Sequence, residues 1–170
     1  MSTQTLLASM FRYKAWADEG LLAGLAAAAH RMPGPQHRAA LRILDHAHAV
    51  DCIFAAHLQR KAHGYAATHC AEEPDADRLR EAMRKTDRWF IDHAQRLDPQ
   101  DLSETIAFDF TDGAHGRMSR EEMLGHVIAH GGYHRGEVGQ ILAQCTGSSP
   151  RDTFTGYLHE MEPARRTREA

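Results

Sequence analysis

His126, His130 and His134 recur at every fourth position in the run His126-Val-Ile-Ala-His130-Gly-Gly-Tyr-His134-Arg. On an α-helix, residues four apart lie one turn above each other on one face. Their Cβ atoms are then about 5–6 Å apart, close enough for two imidazoles to grip one metal ion. On a helical wheel, Met123, His126, Val127, His134, Glu137 and Ile141 all fall within about 60° of His130. The histidines thus share a face with apolar residues and are expected to point inward. A buried imidazole pair must be hydrogen-bonded or bound to metal.

Two histidines on one helix leave a site incomplete, so a third ligand is expected from a facing helix. The segment around residues 36–62 offers His46, His48 and His57. His46 shares a face with Ile43, Val50 and Ile53, whereas His48 points about 160° away. His57 is on the inward face but roughly 16 Å along the axis. One ion needs its ligands at one level, which selects His46, His130 and His134. His126 is expected beside the ligands and not among them. His57 and His126 otherwise read as satisfied core or surface residues, and His48, His63, His69 and His93 as surface residues.

Three neutral imidazoles on a divalent ion leave a coordination position open. Such an ion binds water or a thiol and lowers its pKa. Glu137, three residues after His134, is the candidate catalytic residue. It could orient that imidazole, accept a proton, become a fourth ligand, or simply pair with a basic neighbour. Zn, Ni, Fe, Mn and Co all suit three histidines, so the donors do not select the metal.

The elements that must hold these residues follow from periodicity and breakers. Leu6, Met10, Tyr13, Ala17, Leu21 and Leu25 predict a first helix over about Thr5 to Ala29, stopped by Pro33-Gly34-Pro35. A second helix is predicted from Gln36 to Ala62, ended by His63-Gly64. A third runs from Asp75 to Leu97, with Leu79, Met83, Phe90 and Leu97 inward. The alternating stretch at Thr105 with Asp112-Gly113 predicts a short hairpin or extended crossover. Ser119-Arg-Glu-Glu122 is a capping box opening a fourth helix to about Cys145. A short helix over Asp152 to Glu160 is expected to pack back, and the charged tail at 163–170 to fray. The expected fold is all-α: one four-helix bundle over 1–162 with a long crossover or short hairpin between helices three and four.

A length of 170 residues suits one domain. The net charge of −3 gives no footprint for nucleic-acid binding. No apolar run is long enough for a membrane span, and no secretory signal is visible. Cys52, Cys70 and Cys145 lack CxxC spacing and read as reduced thiols of a cytoplasmic protein. Histidine is the outlier, at 13 residues.

Three motifs resemble the DinB family of four-helix metalloproteins. Tyr13-Lys-Ala-Trp16-Ala17-Asp18 resembles its Y-x-x-W-A-N. Leu44-Asp-His46 through Asp51-Cys-Ile-Phe54 resembles its L-x-H-x-x-x-x-D-x-I-[WF]. The run from Met123 through His126, His130, His134, Arg135, Gly136 and Glu137 resembles its L-x-H-x-x-x-H-x-x-x-H-R-G-Q, with Glu137 where glutamine is common. The resemblance implies the same ligands, His46, His130 and His134. It also implies metal-dependent thiol chemistry of some members, S-transferases with a low-molecular-weight thiol as co-substrate among them. Two functions are therefore expected to compete. One is a small metal-dependent thiol transferase or hydrolase acting on a small molecule. The other is a non-catalytic metal- or ligand-binding stress protein. A strip of Gly125, Ala129, Gly132, Gly136, Gly139 and Ala143 lies opposite the histidines. It is expected either to seat the first or third helix or to form the interface of a homodimer.

Overall fold

The computed structural model describes residues 2–69 and 72–165. Its elements are α1 (Thr3–Ala28), α2 (Gly34–Leu58), α3 (Ala76–Arg96), β1 (Thr105–Asp109), β2 (His115–Ser119), α4 (Arg120–Thr146) and α5 (Phe154–Met161). The protein is mostly helical, as an all-α fold requires, with one small antiparallel hairpin between α3 and α4. α1 packs on α3 and α4, and α2 packs on α4 and α3. Among the described residues no helix is long and apolar enough to cross a membrane. Cys52 and Cys145 are free thiols, and Cys70 lies outside the described residues. Pro163–Arg165 form a 3-10 turn, and the rest of the charged tail also lies outside them.

The helix ends follow local chemistry. Ser2 accepts from the Thr5 amide and Asp75 from the Arg78 amide, each satisfying an orphan donor of a first turn. The capping box forms as expected: Ser119 accepts from the Glu122 amide, and Glu122 accepts from the Ser119 amide at 2.7 Å. Gly147 closes α4 in the left-handed region, at φ 86°. The end of α2 differs from expectation. It stops at Leu58, well before Gly64, because Arg60 takes the left-handed conformation at φ 57°. The Lys61 amide then reaches back to the Ala56 carbonyl at 2.9 Å. A reading keyed to glycine misses a stop made by arginine.

Two apolar clusters fill the interior. One gathers Phe11, Phe54, Phe90, Met123 and Val127 with Ile106 and Phe108 of the hairpin. The other gathers Leu21, Leu25, Leu44, Met83, Val138 and Leu142. Each long helix passes from one cluster to the other, and a layer of buried charged groups and small residues lies where they cross over. Lys14 and Asp18 lie there on α1, Asp87 on α3, and Gly131 and Arg135 on α4; Asp51 adjoins them on α2. All are buried. The Lys14 ammonium donates to Asp18 (2.8 Å), Asp51 (2.7 Å) and Asp87 (2.7 Å). The Arg135 guanidinium donates to Asp18 at 3.2 Å and to Asp152 at 2.8 Å. Tyr13 donates to Asp152 and lies under the Arg135 guanidinium. This layer explains why Gly131 has no side chain: a Cβ there would stand 3.1 Å from Lys14 Cε and 3.3 Å from Arg135 Nη1.

The apolar stripe expected on α1 is turned by about one residue. Leu7, Ala8, Phe11, Lys14, Ala17, Asp18, Leu21, Leu22 and Leu25 are buried, while Leu6 is exposed. On a wheel, Lys14 falls within about 20° of Leu7, Leu21 and Leu25. Counting a lysine as outward displaces the stripe.

Candidate metal centre

His46 comes from α2, and His130 and His134 from α4, at the level of the polar layer. One ring nitrogen from each lies within 4.8 Å of the other two. The ring centroids are 5.2 Å apart for His46 and His130, 4.8 Å for His46 and His134, and 4.4 Å for His130 and His134. The trio is half-buried, not enclosed as expected. The middle of the buried face of α4 is taken by Gly131 and Arg135, since Asp18 and Asp152 neutralise the guanidinium there. The histidines are displaced to the flank that meets α2.

Hydrogen bonds fix which nitrogen is available on two of the three rings. His46 Nδ1 donates to the Thr68 carbonyl at 2.8 Å, which leaves the lone pair on Nε2. His134 Nδ1 donates to Glu137 Oε2 at 2.6 Å, with the same result. His130 Nε2 and His134 Nε2 are 3.1 Å apart. Two imidazoles on one zinc-like ion at about 2.0–2.1 Å have nitrogens roughly 3.3 Å apart. The His130–His134 spacing therefore suits a divalent ion as it stands, and the His46 nitrogen, within 4.8 Å of both, would close in on it. Burial, and then the neighbouring His134, His126 and His46, push His130 down to about 4, so this ring is neutral and able to ligate near pH 7. Glu137 meets His134 on the side away from its free lone pair. Of the roles open to it, orienting the ring is the one this bond performs.

The remaining candidates fall in three places. His126 stacks on Phe54 at 4.5 Å and on His130 at 5.3 Å, beside the trio and outside it. His57 packs on Phe108 and His63, and among the described residues its buried Nε2 has no hydrogen-bond partner. His48, His63 and His93 are half-buried, contrary to the expected surface positions; only His69 is exposed. His48 Nε2 donates to Thr86 Oγ1 at 3.2 Å, because that hydroxyl is spent on the Ala82 carbonyl. His93 stacks on Trp89.

The start of the small-residue strip on α4 is open, and from Gly132 to Ala143 it shares a cleft with Tyr13, Ala17 and Leu21 of α1. Gly125, Ala129 and Gly136 are exposed, and a Cβ at Gly125 or Gly136 would meet nothing within 4 Å. Farther along, Gly139 faces Ser149, in the segment leading to α5.

Sequence reasoning missed Lys14, Asp87 and Asp152. Lys14 and Asp18 carried a signal, a charged pair four residues apart on an otherwise apolar face. Asp87 and Asp152 carried none, since only the packing of α3 and of the α4–α5 connection brings them to Lys14 and Arg135.

A mostly helical protein with three imidazoles converging from two packed helices belongs to the class of helical proteins with a candidate metal centre. The chain belongs to the DinB family, whose model matches residues 1–167. No curated protein and no solved structure matches it. The family motifs acquire a physical reason. Tyr13, Asp18, Asp51 and Arg135 are members of the buried ionic layer, and His46, His130 and His134 stand at its edge.

Proposed function

We propose that the protein is a four-helix-bundle metalloprotein of one domain whose divalent ion is held by His46, His130 and His134, and that it is a small metal-dependent enzyme of the thiol transferase or hydrolase type. The convergence of three ring nitrogens, two of them with lone pairs fixed by the bonds to Thr68 and Glu137, beside an open cavity carries this reading. A bound ion supplies Lewis acidity, lowering the pKa of a water or thiol in its open position. His46 is fixed by Thr68 and His134 by Glu137, so two of the three ligands are oriented before an ion arrives. The test is elemental analysis of purified protein, followed by a screen of thiol and electrophile pairs with and without chelator. Chelator-sensitive turnover supports the enzyme. Stoichiometric metal with no turnover favours the alternative, a non-catalytic metal- or ligand-binding stress protein.

In the orienting role, Glu137→Gln keeps the shape of the side chain but loses the charge that steadies the His134 imidazole. Metal affinity is expected to fall about 10- to 100-fold. Competition against a chromogenic chelator measures it, and unchanged affinity would remove Glu137 from the site.

We also propose that the protein is a cytoplasmic homodimer with Gly125, Ala129 and Gly136 at the interface. The support is an exposed smooth helix face with Tyr133, 67% exposed, beside it. Because Gly136 is exposed and a Cβ there meets nothing within 4 Å among the described residues, Gly136→Leu is expected to leave the fold intact and yield monomers. Light scattering reads the mass; a parent that is already monomeric, or a leucine variant that stays dimeric, rejects the interface.

A further inference from the structure

Two cavities adjoin at the hairpin. The first, about 290 Å³, is walled by Phe54, Phe108, Phe110 and Met118, and His126 and His130 also line it. Its volume is at the lower edge of small-molecule sites, enough for one ring or a short alkyl group. Phe110 is 50% exposed at the rim of this wall. Gly116 makes the wall possible, since a Cβ there would stand 2.6 Å from Phe108 and 2.9 Å from Phe110.

The second cavity, about 720 Å³, shares His57, Phe108 and Asp109 with the first. Its other walls carry Arg60, Lys61 and Arg117. Arg60 is taken by Glu104. Among the described residues, no carboxylate lies within ion-pair distance of Lys61 or Arg117; Lys61 reaches only Gln59 Oε1, at 3.0 Å. Asp109, on the shared wall, is engaged by His115 at 2.6 Å. An apolar slot beside His130 thus borders, across His57, Phe108 and Asp109, a cleft with two uncommitted cations.

We propose that the organic substrate of this site is an amphipathic carboxylate, its apolar group held among Phe54, Phe108 and Phe110 and its carboxylate directed to Lys61 and Arg117. The proposal rests on the reading of the histidine trio as the reactive centre. The apolar slot orients the group that meets the centre, and the cations fix the far end. Neither wall depends on an ion, so recognition is present in the metal-free protein as well.

The experiment uses three probes of one shape: 4-phenylbutyrate, neutral 4-phenyl-1-butanol and cationic 4-phenylbutylamine. Each is titrated into chelator-treated and metal-loaded protein, with amide shifts in NMR spectra reporting the place and the affinity. The expected order is carboxylate first, by roughly five- to thirtyfold over the alcohol, with shifts at Ile53, Met118 and His126. The double variant Lys61→Glu, Arg117→Glu changes only exposed side chains. It is expected to abolish that preference and leave alcohol binding unchanged, while Phe110→Ala weakens all three probes. Equal affinity for the three probes, shifts elsewhere, or no saturable binding up to roughly 10 mM overturns the proposal. Selectivity that persists in chelator-treated protein while His46→Ala keeps its metal sinks the functional reading alone. Stoichiometric metal without selectivity sinks this inference alone.

Discussion

His46→Ala, His130→Ala and His134→Ala are each expected to lose stoichiometric metal, while His48→Ala keeps it. The expectation follows from coordination. Three ring nitrogens lie within 4.8 Å of one another, and removing one leaves two imidazoles, which hold a divalent ion far more weakly. His48 is the control because it is two residues from His46 yet turned to α3, where it bonds to Thr86 and touches Cys52 at 3.4 Å. Loss in all three variants but not in the control, read by elemental analysis after dialysis, supports the trio. Metal retained in His46→Ala would redirect the third ligand to His126 or Glu137. Circular dichroism separates ligand loss from unfolding. The three rings are half-buried and lie outside both apolar clusters, so each variant is expected to remain helical.

How much of this was legible in the sequence depends on which force places each residue. The four long helices and the hairpin were legible because their signals are local: amphipathic spacing, a capping box and a turn dipeptide. The grouping of His46 with His130 and His134 was legible because helical periodicity fixes which face a residue takes. The depth of that site was not. It depends on Arg135 occupying the centre of the buried face of α4, and Arg135 is buried only because Asp18 and Asp152 neutralise it. Such charge pairing joins residues far apart in the chain, and a wheel sees one helix at a time. The same blindness turned the α1 stripe by a residue, since Lys14 reads as a solvent residue until three carboxylates surround it. The strip of small residues was legible as a pattern, but that it stands open at Gly125 and Gly136 required the positions of the neighbouring helices.

Lys14→Met is expected to destabilise the metal-free protein by about 3–5 kcal/mol, the cost of leaving a buried charge uncompensated. Lys14 lies at 2% exposure among Asp18, Asp51 and Asp87. Burial alone would depress its ammonium, but the three carboxylates outweigh burial and hold it well above its usual range. The layer nonetheless carries an excess of acid: Lys14 and Arg135 face three buried carboxylates. The excess shows in how the acids divide. Asp18, touched by both cations, is held below the usual range despite its burial. Burial pushes Asp51 up to about 6 and Asp87 up to about 7. Among the described residues the buried Asp51 Oδ1 has no hydrogen-bond partner, since Lys14 reaches only its other oxygen. The sign of the pH effect follows. Unfolded aspartates lose their protons near pH 4, whereas the folded Asp51 and Asp87 hold theirs until about 6 and 7. Between those limits the folded state binds more protons, so the stability these two groups contribute falls as pH rises from about 4 to 7. Asp87→Asn mimics the protonated acid and keeps an oxygen for Lys14. It is expected to cost no more than about 1.5 kcal/mol at pH 5, the worth of one hydrogen bond. Its stability relative to the parent should then improve as pH rises to 8, because the parent ionises and the asparagine does not. Urea unfolding of chelator-treated protein at pH 5, 6.5 and 8 measures both effects. A Lys14→Met variant within about 1 kcal/mol of the parent, or an Asp87→Asn difference flat across pH, would show that the layer is hydrated and its charges are not coupled.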